Sequence, residues 1–127
     1  MIRLTAMLRR NPALSAEEFH AHWRDVHAAK IRSVPGIERW LVRYEQHPRV
    51  PGAPGAWTGS DGFDGVTLQW YRSLDDFTAM IGDPEYRRIV GPDEQHLIDL
   101  AGSVYLLTDE PRVIVGADAD PGAGPPA

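Results

Sequence analysis

The chain has 127 residues, a net charge of −5 and no cysteine. Disulfides, thiol catalysis and thiolate-bound metal are excluded. Nucleic acid is a poor partner, because phosphate binding needs a basic patch and no run of like charge supplies one. With 43% apolar and 24% charged residues, the composition fits one compact domain with a single core. The start, MIRLTAMLRR, is too short and too charged for a signal peptide. No apolar run approaches the ~20 residues that span a bilayer. The expectation is a cytoplasmic protein with no membrane partner.

Residues 2–9 alternate Ile2, Leu4, Ala6 and Leu8 against Arg3, Thr5, Met7 and Arg9, the period of a half-buried strand. Pro12 ends it. Ser15 and Glu18 form an S-x-x-E capping box, and the pattern predicts a helix over 16–33, stopped at Val34 to Gly36. At about 100° per residue, Phe19, Trp23, Val26 and Val34 share one arc, with His20 and His27 on its edge. Residues 37–46 read as a second strand, with Trp40, Val42 and Tyr44 on one face. Residues 47–65 are dense in Pro and Gly and long for a connection, which predicts a functional lid or a mobile insert, containing Trp57. Asp61 and Asp64 read as turn residues within it.

Residues 66–72 read as a third strand, and SLDDFTAMIG as a short helix capped by Ser73. A further helical segment follows Pro84, interrupted near Gly91 and Pro92. Residues 103–109 make the fourth strand, which RVIVG extends or pairs. Residues 116–127 are small residues, Pro and Asp, predicted to be a disordered tail after a domain spanning 1–115. The order β-α-β-β-α-β is that of an α+β, ferredoxin-like sandwich. One sheet face lies under the helices. The other needs a cover, and a second copy of the chain supplies it most simply, so a homodimer is expected.

The stretch FHAHWRDVHAAK carries His20, His22 and His27. No two of them stand at i and i+4. His20 and His22 point about 160° apart, and His20 and His27 are separated by about 10 Å of rise, so metal is not expected. An imidazole on the border of an apolar arc suits acid/base chemistry in a partly desolvated cavity. The bland alternative is a histidine bonded to a loop carbonyl. His22 faces away from the arc and is read as solvated or packed against a neighbouring loop. Lys30 lies on the apolar arc. Either it snorkels past the helix end, or it enters the cavity as a cation that holds an anion or lowers the pKa of His27.

The F-x-x-x-W-x-x-x-H helix (Phe19, Trp23, His27), the pattern from Asp83 to Asp93, PGIERWLVRYEQH and SVYLLTDE together resemble an EthD-domain protein of the dimeric α/β barrel superfamily. The resemblance covers nearly the whole chain apart from residues 48–62 and the tail. It implies a homodimer with a pocket between sheet and helices in each unit. It also implies a catalytic histidine at His27, by analogy with lactone isomerase and polyketide cyclase relatives. The family positions matching Trp40, Val42 and Tyr44 are usually polar pocket groups, and here Val42 and Trp40 depart from that.

The expected function is cofactor-independent acid/base catalysis on a hydrophobic, oxygenated small molecule: an aromatic polyketide cyclase, dehydratase or isomerase step. His27 would carry the proton and Tyr44 would donate a hydrogen bond, while Trp23, Trp40, Trp57, Lys30 and His20 would contact substrate. No cofactor and no metal are expected. Two alternatives are a cofactor-free monooxygenase and a non-catalytic binding protein for a hydrophobic metabolite.

Overall fold

A computed structural model describes residues 1–52 and 62–119. Its elements are β1 (Ile2–Leu8), α1 (Ala16–His22), a π-helical turn (Trp23–His27), α2 (Ala28–Ser33), a 3-10 turn (Ile37–Arg39), β2 (Leu41–Pro48), β3 (Gly65–Tyr71), α3 (Leu74–Gly82), α4 (Pro84–Leu97) and β4 (Val104–Thr108). The four strands form one antiparallel sheet in the order β2-β3-β1-β4. This is the ferredoxin-like α+β arrangement.

Alternation places Leu4, Ala6 and Leu8 of β1 beneath the helices, beside Gln69, Thr67 and Gly65 of β3. Two apolar clusters fill the space between sheet and helices. One gathers Leu4, Ile31, Leu41, Tyr71 and Met80; the other gathers Ala6, Leu8, Phe19, Trp23 and Leu97.

The capping box is formed. The Glu18 amide donates to Ser15 Oγ at 3.1 Å and the Ser15 amide to Glu18 Oε1 at 3.0 Å. The helix it starts does not keep the α period. At the π turn the Ala28 amide reaches back to the Trp23 carbonyl, five residues away. One extra residue in a turn sets the following side chains back by up to ~100°. Trp23, His27 and Ile31 are therefore all buried, whereas Val26, read from sequence as part of the apolar arc, is 39% exposed. The chain then reverses at Gly36, whose φ of 66° is left-handed and costs glycine little.

Four other expectations are corrected. Residues 37–46 are not all strand: a 3-10 turn precedes β2, and a bulge between Leu41 and Arg43 shifts the register. The bulge turns both Leu41 and Tyr44 toward the helices and leaves Val42 outside. Helix α4 is continuous through Pro92, with Asp83 accepting from the Tyr86 amide at 3.0 Å as its N-cap. Packing of its buried stripe, Val90, Asp93 and Leu97, outweighs the one amide that Pro92 lacks. RVIVG does not form a strand, and Ile114 and Val115 are exposed. Asp64 is buried and paired with Arg10 at 2.7 Å, joining the end of β1 to the start of β3. The strands reach into both ends of the expected 47–65 lid, while Trp57 and Asp61 lie outside the described residues, as do residues 120–127 of the tail.

Candidate active site

Between the two apolar clusters lies a cavity of about 550 Å³. Leu4, Ala6, Ile31, Leu41 and Met80 make its walls greasy, and its polar groups come from several elements. His27 comes from the π turn, Tyr44 from β2, Gln69 and Tyr71 from β3, Tyr86 and Glu94 from α4. A mostly apolar hollow with a few convergent polar groups is the common form of a small-molecule site.

The π turn places the histidines. His27 is 4% exposed, and its Nδ1 lies 2.7 Å from Asp93 Oδ2. His22 Nε2 lies 2.6 Å from the other oxygen, Oδ1. One buried carboxylate thus clamps two imidazoles. Burial on its own would raise the Asp93 carboxyl, but the bonds and charges of His22 and His27 outweigh it and hold the pKa below the ordinary value. His27 moves down from its usual value, chiefly because burial disfavours the imidazolium. The Asp93 carboxylate opposes that shift, and the charges of His22 and Lys30 add to it. The imidazole is neutral near pH 7. With Asp93 ionised, the proton lies on Nδ1, and Nε2 is left as a basic lone pair for the cavity.

Tyr44 is held at its rim of donors. Gln46 Nε2 gives one hydrogen bond to the Trp23 carbonyl at 2.8 Å and a longer one to the Tyr44 oxygen at 3.5 Å. Burial raises the Tyr44 pKa, so the phenol keeps its proton and can donate it. Among the described residues the buried Trp23 Nε1 has no partner at full hydrogen-bond geometry, but its N–H faces the Tyr44 hydroxyl and opposes the rise of the phenol pKa. The Trp23 ring fits because residue 65 is glycine: a β-carbon there would stand 2.7 Å from the indole edge. Tyr71 donates to Gln69 Oε1 at 2.5 Å.

Of the residues singled out from sequence, His27, Tyr44 and Trp23 line the cavity together. His20 does not; it is half-buried and packs against Phe19 and Trp23. Trp40 does not either, since it lies before the bulge with the Arg39 guanidinium 3.8 Å from its ring centre. Lys30 stays half-exposed at the end of the helix and reaches the site only through its charge. His22 is neither solvated nor packed on a loop, because the same π turn brings it to Asp93 on α4. Sequence reasoning assigned no role to Asp93, Glu94, Tyr71 or Tyr86. The missed signal was a carboxylate on the apolar stripe of α4, at the spacing of Val90 and Leu97, where a charge needs a partner. Among the described residues, no group of three or more His, Asp or Glu is disposed to hold a metal ion. No helix among them is long and apolar enough to cross a membrane.

The family model for the EthD domain matches residues 11–101. The chain belongs to the EthD family. Among curated proteins this EthD protein has no match. Among solved structures it is similar to an ethyl tert-butyl ether D (EthD) family protein from Bacillus halodurans, with 21% identity over 87% of this chain and 98% of that one, TM-score 0.62. It is similar to a dimeric ferredoxin-like protein from Bacteroides fragilis, with 12% identity over 86% and 95%, TM-score 0.62. It is also similar to SnoaB, a cofactor-independent oxygenase from Streptomyces nogalater, with 13% identity over 89% and 95%, TM-score 0.57. At these identities the likeness concerns the fold.

Proposed function

We propose that this EthD protein is a cofactor-independent enzyme that moves protons on a hydrophobic, oxygenated small molecule, in a cyclase, dehydratase or isomerase type of step. The observation that carries this reading is the buried His27, held by Asp93 through Nδ1 and lining an apolar cavity. A neutral imidazole of fixed tautomer is a base for a C–H next to a carbonyl. Asp93 stabilises the imidazolium that forms. Tyr44, still protonated, donates to the enolate oxygen, and the Trp23 N–H, directed at the Tyr44 oxygen, supports the phenol as it donates. The apolar walls lower the local dielectric, which strengthens both bonds.

The working form is a homodimer. The sheet face away from the helices carries Met7, Val66, Leu68, Trp70, Val104 and Leu106 by register. Val104 and Leu106 are 52% and 61% exposed, and the fold neighbour from Bacteroides fragilis is dimeric. Arg3 on this face lies over the Trp70 ring, and its buried Nε has no hydrogen-bond partner among the described residues.

Hydrogen–deuterium exchange at the α-carbon of β-tetralone, followed by NMR, tests the base without knowledge of the native substrate. The wild type should accelerate exchange, and His27→Ala should lose ~10²–10⁴-fold of that acceleration. Normal exchange by a folded His27→Ala would end this reading.

A second reading, a cofactor-free monooxygenase, draws on the likeness to SnoaB. In it His27 would deprotonate a phenol whose anion meets dioxygen directly. Oxygen uptake with an anthrone separates the two. The binding-protein alternative rested on Trp40 and Val42, and neither lines the cavity.

A further inference from the structure

Consecutive residues on α4 diverge. Asp93 turns to the two histidines, and Glu94, about 100° further round the helix, turns into the cavity. Glu94 Oε1 accepts a hydrogen bond from the Tyr86 hydroxyl at 3.2 Å. No cation pairs with Glu94 among the described residues, and its surroundings are phenols: Tyr86, Tyr44, Tyr71 and Tyr105 all feel its charge. A half-buried carboxylate among apolar and phenolic groups, without a cation, is costly, so the neutral acid is favoured. Burial raises the Glu94 pKa first; Asp93 next to it adds to the rise, and the Tyr86 bond opposes it. His27 and Glu94 are thus pushed in opposite directions by their environments, and a cavity lined by both has a base and an acid available together.

We propose that Glu94 is a second catalytic residue, a general acid facing the His27 base, and that the substrates are hydrophobic β-hydroxy ketones which the site dehydrates. The proposal rests on the reading of His27 as the base. His27 Nε2 takes the proton from the carbon between carbonyl and carbinol, and the C–H pair becomes the enolate. The enolate collapses to a carbon–carbon double bond as the bond to the β-oxygen breaks. Glu94 gives its proton to that oxygen, which leaves as water. The net reaction is ketol to enone plus water. The enzyme ends with one proton moved from Glu94 to His27, and exchange with solvent water returns it. No oxidant, reductant or cofactor enters.

A β-hydroxy ketone needs the acid; α-proton exchange does not. The probe is the aldol adduct of benzaldehyde and acetone, whose conversion to benzalacetone is read by ultraviolet absorbance, compared with β-tetralone exchange on the same proteins. Glu94→Gln should lower dehydration ~10²-fold or more while leaving exchange within about twofold of wild type. The wild-type dehydration rate should fall with pH on its alkaline limb as Glu94 ionises. Tyr86→Phe should move that limb to higher pH, because it removes a bond that favours the carboxylate. The titratable and charged groups that share the cavity with Glu94 or feel its charge are His27, Tyr44, Tyr71, Tyr86, Arg87, Asp93 and Tyr105. His27 governs the acidic limb, Arg87 keeps its charge throughout, and the phenols titrate above neutral pH. Should Glu94→Gln fail to fold, the limb and its shift in Tyr86→Phe carry the test. Both reactions intact in Glu94→Gln, or both lost together, overturns the role of Glu94 while His27 stands. Exchange without dehydration by the wild type overturns the substrate class. Absence of both in the wild type overturns the His27 reading and this inference with it.

Discussion

Replacing Asp93 with Asn tests the clamp on which the site is built. The carboxylate holds His22 and His27 at 2.6 and 2.7 Å. A hydrogen bond to a charged group contributes about 1.5–3 kcal/mol. Asparagine keeps one acceptor oxygen and turns an amide donor toward the other ring, which has to switch tautomer to accept it, so both bonds lose the assistance of the carboxylate charge, for about 2 kcal/mol together. Asp93→Ala removes both and leaves a buried imidazole unpaired, for about 3–5 kcal/mol. In a domain of this size 1 kcal/mol moves Tm by roughly 4 °C. Thermal unfolding followed by circular dichroism at neutral pH should therefore fall by ~8 °C for Asp93→Asn and ~12–20 °C for Asp93→Ala. The sign with pH is fixed by the depressed carboxyl. The wild-type advantage is complete above about pH 4, where the unfolded carboxyl ionises, and fades as pH falls through the lower folded value. His27 acts in the same direction from higher pH. Its folded imidazole is lowered, so below about pH 6.5 the unfolded chain takes the proton first and stability declines. Equal Tm for wild type and Asp93→Asn at neutral pH, or a gap that does not narrow on acidification, would refute the clamp.

Gly65→Ala should destabilise by about 1–3 kcal/mol, since the new β-carbon meets the Trp23 ring at 2.7 Å and the His47 carbonyl at 3.0 Å. An unchanged urea midpoint by tryptophan fluorescence would show that the indole is not packed there. Leu106→Glu puts a charge on the open sheet face and should turn a dimer into a folded monomer in sedimentation velocity. A dimer that survives the substitution would place the interface elsewhere.

The strands and the start of each helix could be read from the chain because their causes are local. Alternation in β1, the Ser15–Glu18 capping box and the Ser73 and Asp83 caps each involve residues a few positions apart. The family likeness carried by Phe19, Trp23 and His27 was legible for the same reason. Positions that depend on a change of period were not. The π turn sends Val26 outward and His22 to Asp93, and the bulge beside Val42 sends Tyr44 inward past Trp40. Both are irregularities of one residue, invisible to a pattern that assumes a constant angle.

The sequence by itself determined the order of elements, the apolar side of β1 and the histidine-rich helix, since propensity, periodicity and capping act between near neighbours. Only the tertiary structure decided which carboxylate holds His27. Asp93 lies 66 residues away, and no rule of spacing joins two helices that meet only when the sheet packs beneath them. The same packing turned Glu94 into the hollow: burying the stripe of Val90, Asp93 and Leu97 fixes the rotation of α4, and the residue after Asp93 has to follow.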